Sequence, residues 1–167
     1  MDVNHGKHGG NKKQKKARRS QTHITLGEMW DDVLANNQLT LAHHELGALN
    51  ALAESIQLLM GWNVEPSDVL GIQGDDIRHI YKNHGIPHQN HKGQWVGEIR
   101  KEQLPITKQD FENLPAIFRN PVFTKDTDRV WGEVLIATAK IHGHLTAVMI
   151  HAPAKKMLHI KSMRKYK

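Results

Sequence analysis

Val134-Leu135-Ile136-Ala137-Thr138-Ala139-Lys140, then His142-Gly143, then Leu145-Thr146-Ala147-Val148-Met149, is the stretch that decides the fold. Val134, Ile136 and Thr138 alternate with Leu135, Ala137 and Ala139, which is the period of a strand. His142-Gly143 supplies a turn, and Leu145, Ala147 and Met149 continue the alternation. Pro153 breaks it and Leu158 and Ile160 resume it, so this region predicts a three-stranded antiparallel meander. On the last strand, alternation puts Ser162 on the face of Leu158 and Ile160, and Lys161 with His159 on the other.

Upstream the period lengthens. Thr107-Lys108-Gln109-Asp110 caps a helix carrying Phe111, Leu114, Ile117 and Phe118, and Asn120-Pro121 ends it. Asp75-Asp76 opens another helix that runs to about Asn83 and stops at Gly85. Residues 86–105, rich in Gly, His and Gln, read as a loop, and Ser67-Asp68 and Gly71 to Gly74 read as turns. Between Ile24 and Trp62 the spacing of Leu46, Leu49, Ala53, Ile56 and Met60 predicts a longer helix from about Thr40 to Met60, stopped by Gly61. A short helix near Leu26 to Ala35 precedes it. Helices followed by a run of strands, without strand–helix–strand alternation, define an α+β domain with its helices on one face of a small antiparallel sheet.

Charge divides the chain into three blocks. Residues 1–23 carry seven Lys or Arg against Asp2, six of them within Lys12 to Arg19, and read as a disordered basic arm able to track a phosphate backbone or to act as a linker. Residues 24–71 carry seven carboxylates and no Lys or Arg, an acidic helical segment that could pack on the basic domain, recruit a partner or cover the basic surface. Residues 72–167 carry sixteen basic against nine acidic side chains, a basic α+β domain suited to nucleic acid. Without cysteine the chain has no disulfides, no thiolate nucleophile and no Cys-containing zinc site. No apolar run approaches the roughly eighteen residues a membrane span requires, so no membrane partner and a cytoplasmic location are expected.

The candidate chemistry lies in Asp75-Asp76-Ile77-Arg78-His79-Ile80-Tyr81-Lys82-Asn83-His84-Gly85. On a regular helix His79 and His84 stand about 140° apart, but a helix ending at Gly85 could swing His84 toward His79 or the sheet. Imidazoles move protons at neutral pH; equally, this pair could only cap and pack the helix end. His88 and His91 add a metal reading, but the spacing is irregular and no carboxylate is placed as a ligand, so no metal or cofactor is expected. Phosphate-cradling and nucleophile-elbow motifs are absent from the sequence. Near the last strand His159, Lys161, Ser162 and Arg164 gather, and Lys140 closes the first. His, Lys, Arg and Ser together can serve a phosphodiester attacked by its own 2′-hydroxyl, or can form a solvated basic strand end.

The histidine stretch, with Pro105-Ile106-Thr107-Lys108-Gln109-Asp110, Leu114-Pro115-Ala116-Ile117, Asn120-Pro121 and the closing Lys161-Ser162-Met163-Arg164-Lys165, resembles phage-associated nucleases of the barnase/EndoU/colicin/RelE-like group. The likeness covers about Ile72 to Arg164. It implies a metal-independent ribonuclease with helices on a curved antiparallel sheet, acting as a phage-encoded or polymorphic-toxin effector delivered into a target cytoplasm or carried by a phage particle. His79 and His84 match the histidine motif, Lys140 the basic residue ending an early strand, and Ser162 the hydroxyl of the last strand. The expectation is an endoribonuclease with His79, His84, Lys140, Ser162 and Arg164 at its site. RNA is its substrate, and a cognate immunity protein or antitoxin its partner. The alternative is a non-catalytic nucleic-acid-binding or phage structural accessory protein.

Overall fold

The computed structural model describes residues 25–36 and 43–167. The expected basic arm over residues 1–23 lies outside the described residues. Helix α1 (Leu26–Asn36) is followed by β1 (His43–Ala48), α2 (Leu52–Met60) and β2 (Val69–Gln73). Then come α3 (Gly74–His84), the two-residue strands β3 (His88–Gln89), β4 (Trp95–Val96) and β5 (Gln103–Leu104), and the short helices α4 (Lys108–Glu112) and α5 (Leu114–Ile117). Four long strands close the chain: β6 (Val122–Asp128), β7 (Gly132–Lys140), β8 (His144–Ala152) and β9 (Met157–Tyr166).

The main sheet runs β1-β2-β9-β8-β7-β6, with β5 also paired to β9. Every pairing is antiparallel except β2 with β9. The architecture is α+β with a mostly antiparallel sheet, and the expected meander is its β7-β8-β9 part. Leu135, Ala137, Leu145, Ala147, Met149, Leu158, Ile160 and Met163 present one face of that meander to the core. Met29, Trp30 and Val33 of α1, Ile56 of α2, Ile77 and Ile80 of α3, and Phe111, Leu114 and Ile117 cover it from the helical side. Among the described residues no helix is long and apolar enough to cross a membrane.

Three expectations need correction. The helix expected from Thr40 to Met60 is, over the described residues 43–60, a strand and a shorter helix, its first three residues lying outside the described ones: β1 pairs with β2, and Asn50, in the left-handed region at φ 50°, separates it from α2. The apolar spacing of Leu46 and Leu49 fits a helix, but a neighbouring strand in the sheet overrides it. Gly71, expected in a turn, is instead inside β2, where the missing Cβ matters: one built there would lie 2.5 Å from Met157 Sδ. The expected boundary between residues 71 and 72 therefore falls within a strand, and the residues before it share the core of those after it.

The third correction concerns the face of Ser162. Met149 pairs with Ile160 but Val148 pairs with Ser162, so Lys161 is the extra residue of a β-bulge. The bulge resets the alternation. Ser162 joins Val148, and by the same register His159 joins Ile150, on the face opposite Ile160.

Candidate functional site

Helix α3 begins where β2 ends and packs against β9. Its first turn is fixed by Asp76, whose Oδ2 accepts the Gln73 N–H at 2.9 Å. Asp76 is buried and also meets His159 Nε2 at 2.6 Å and Lys161 Nζ at 3.1 Å, so one carboxylate ties the helix start to the bulged strand. Because Ile77 and Ile80 fill the core, His79, Lys82 and Asn83 fall on the helix side away from it.

That side borders a cavity of about 820 Å³. Asp75, Asp76, His79, Lys82, Asn83 and His84 of α3 form one wall, and Trp95 to Gly97, Ile99 and Arg100 form a second. Asp128, Val130 and Trp131 at the β6–β7 turn form a third, with Lys161 and Arg164 of β9 beneath. Although five residues apart on a helix, His79 and His84 both reach this space, with ring centroids 6.2 Å apart. His79 also meets the Trp131 ring edge to face at 5.4 Å.

Hydrogen bonds fix the two imidazoles differently. Asn83 Nδ2 donates to the His79 carbonyl at 3.0 Å and stands 3.2 Å from His79 Nδ1. Since the backbone carbonyl requires the amide nitrogen there, Nδ1 accepts its second proton and neutral His79 carries its own on Nε2. His84 Nδ1 lies 3.1 Å from Glu98 Oε1 and 3.1 Å from Arg100 Nη2. Arg100 already serves Glu98 through Nε at 2.8 Å and Nη2 at 3.1 Å. The carboxylate is the stronger acceptor, so His84 donates Nδ1–H to Glu98 and keeps a lone pair on Nε2.

Burial depresses both imidazoles. For His79 it outweighs the attraction of Asp76, and Lys161 and Arg164 push the same way. Burial brings His84 to about 4 despite its bond to Glu98. Burial also opposes the charge of Glu98, but hydrogen bonds from Arg100 and His84 prevail and hold its carboxyl below the usual range. Backbone N–H groups of Trp131 and Val130 do the same for Asp128.

Of the sequence-predicted site residues, His79, His84 and Arg164 share the cavity. Ser162 is fully buried, its Oγ has no hydrogen-bond partner among the described residues, and it does not line the cavity. Lys140 is exposed at the end of β7, paired with His144 across the hairpin, and lies outside it too. Arg164 also borders a second hollow of about 320 Å³ on the same sheet face, lined by Ile136, Thr138, His144, Thr146, Val148 and Tyr166. Sequence reasoning missed Glu98, Arg100, Asp128, Trp95 and Trp131. Trp95, Glu98 and Arg100 stand in the stretch 86–105 that reads as a loop, and Asp128 and Trp131 in a stretch before Val134 that carries no periodic signal. His88 stacks on Tyr81 at 4.0 Å, and among the described residues no three His, Asp or Glu side chains come together as metal ligands.

Comparison of the chain with protein-family models, with curated proteins and with solved structures gives no match.

Proposed function

We propose that this chain is a metal-independent endoribonuclease that cleaves RNA by attack of a 2′-hydroxyl on the adjacent phosphodiester, with His84 and His79 as its base and acid. The observation carrying this reading is one cavity in which two imidazoles, 6.2 Å apart and oppositely hydrogen-bonded, stand beside Lys161 and Arg164. His84 Nε2, aimed by Glu98, takes the proton of the 2′-hydroxyl. As the 2′-oxygen bonds to phosphorus, the bond to the 5′-oxygen breaks and His79, in its imidazolium form, supplies the leaving oxygen with a proton from Nε2 and ends neutral. Lys161 and Arg164 stabilise the charge that builds on the phosphorus oxygens. The products are a 2′,3′-cyclic phosphate and a 5′-hydroxyl.

Helices preceding an antiparallel meander support the finer reading of a barnase/RelE-like arrangement, which otherwise rests on the family resemblance. The setting comes from that resemblance alone: a phage-encoded or polymorphic-toxin effector acting in the cytoplasm of a target cell, with a cognate immunity protein or antitoxin as partner.

Incubating the purified protein with total RNA, with and without EDTA, tests the reaction. Cleavage should survive chelation and leave cyclic phosphate ends, and His79→Ala or His84→Ala should each lower the rate by about 10²- to 10⁴-fold with little change in RNA affinity. Restoration by zinc after chelation, or equal cleavage of DNA, rules the mechanism out. A second reading, a module that only binds nucleic acid, is favoured by the positions of Ser162 and Lys140 outside the cavity. It predicts RNA binding without cleavage.

A further inference from the structure

Among the described residues seven large apolar side chains are exposed, and three of them, Trp95, Ile99 and Val130, line the cavity that holds His79 and His84. Their exposures are 65, 69 and 83 %. Single apolar residues on a surface are ordinary, but a group of them lining a cleft that also carries Lys82, Arg100, Lys161 and Arg164 against Asp75, Asp76 and Asp128 marks a binding surface.

Both sides of the mouth are braced. The β3–β4 hairpin that carries Trp95 is closed by Asn90, whose Oδ1 accepts the N–H groups of Lys92 at 2.9 Å and Gln94 at 3.0 Å. Gly97 N–H then donates to the Lys82 carbonyl at 2.6 Å and Glu98 N–H to the Gly85 carbonyl at 2.8 Å, fastening the hairpin to the end of α3. Opposite, Asp128 Oδ2 accepts the N–H groups of Val130 at 2.7 Å and Trp131 at 3.0 Å. The Trp131 ring is held by His79, with Lys161 Nζ 5.9 Å from its centroid.

We propose that this mouth is a nucleobase clamp: Trp95 and Val130 hold the flat face of an unpaired base next to the scissile phosphate, while Lys161 and Arg164 take the phosphate itself. A bare phosphate would be met by Arg164 and by Lys161, which it would share with Asp76, and would leave Trp95, Ile99 and Val130 in water. A nucleotide satisfies both, because every base has a π-face that an exposed indole can cover, whatever its hydrogen-bonding edge. The clamp therefore selects single-stranded RNA with little preference for base identity. It rests on the ribonuclease reading for the position of the phosphate.

The test uses the full chain and a dinucleoside monophosphate that carries a 2′-deoxyribose at the attacking position and cannot be cleaved. Its affinity, measured by calorimetry, is compared with that of versions made abasic at either nucleotide in turn. One abasic position should weaken binding about tenfold in the natural protein. That difference should shrink below twofold in Trp95→Ala and largely return in Trp95→Phe, and the exposed position of Trp95 leaves the fold undisturbed. Equal binding of all probes by the natural protein, or undiminished discrimination in Trp95→Ala, overturns the clamp. Cleavage of total RNA, followed in parallel, separates the two claims. RNA cut without base discrimination sinks the clamp and spares the ribonuclease; base discrimination without cleavage spares the clamp and sinks the ribonuclease.

Discussion

His84 Nδ1 and Glu98 Oε1 lie 3.1 Å apart, with the two side chains only 6 and 1 % exposed. A carboxylate so enclosed persists because Arg100 binds both of its oxygens. The geometry sets one tautomer of His84 and directs the other ring nitrogen away from Glu98. Glu98→Gln keeps the shape but weakens that hold. Its kcat on RNA should fall by roughly tenfold or more, less than the loss of the imidazole itself, with KM little changed. Because Glu98 raises the basicity of His84, the acid limb of the rate profile should move to lower pH in this variant. An unmoved limb with an unchanged kcat would reduce Glu98 to a packing residue.

The two histidines are productive as a pair when one proton is shared between them. His84 stands at about 4, and His79 is lowered less, so the proton resides on His79 and the base is free. The profile of kcat/KM should be a bell whose summit lies below pH 6.5, on the acid side of an unperturbed histidine pair. A summit at or above neutrality would mean that other groups carry the protons.

Stability should follow the same shifts. The unfolded chain protonates His84 near pH 6.5, whereas the folded chain resists until about 4. Folded stability is therefore full above that range and declines as pH falls through it, by on the order of 3 kcal/mol for His84 once pH 4 is reached. Urea unfolding between pH 7 and 4 measures this, and His84→Gln should flatten the dependence.

Charge alone makes the acidic segment a candidate cover for the basic surface, and its packing decides what its removal does. Leu49 and Ile56 are 1 % exposed and Met29 is fully buried, all within the core shared with β7, β8 and β9. Deleting residues 1–71 removes α1, β1, α2 and most of β2, and should yield an insoluble or unfolded product at any salt concentration. Ile56→Ala should cost about 2–5 kcal/mol in thermal or urea unfolding. A soluble, folded fragment with raised activity at low salt would restore the cover.

How far the sequence could be read depends on the range of the interactions involved. The meander and the capped turns at Thr107 and Asp76 are local, so periodicity and capping residues revealed them. Strands β1 and β2 were hidden because each is short and holds a glycine, and β2 is placed by a parallel pairing with β9 more than eighty residues later in the chain. The histidines were legible as chemistry. Glu98 and Arg100 were not, because the hairpin that brings them to His84 has two-residue strands and is held by backbone bonds to the end of α3. Nothing in the composition of Ile160-Lys161-Ser162 announces the bulge at Lys161, which turned Ser162 to the other face.

Ser162 separates the resemblance from the geometry. The nuclease likeness gives its hydroxyl a role at the site. Yet the residue is fully buried beside Val148, lies outside the lining of the histidine cavity, and its Oγ has no partner among the described residues. A buried hydroxyl without a partner costs roughly 1–3 kcal/mol in lost hydration, so removing it should help folding more than the small change in volume harms it. Ser162→Ala should therefore raise the midpoint of urea unfolding, or leave it unchanged, and keep RNA cleavage within about twofold of the natural protein, well short of the factor of ten that each 1.4 kcal/mol of lost transition-state stabilisation brings. Arg164→Gln, two residues along on the same face and lining the cavity, should by contrast lower the rate by tenfold or more. If Ser162→Ala instead abolishes cleavage while unfolding normally, the hydroxyl reaches the substrate, and the site extends along that sheet face toward the hollow bordered by Thr146 and Tyr166.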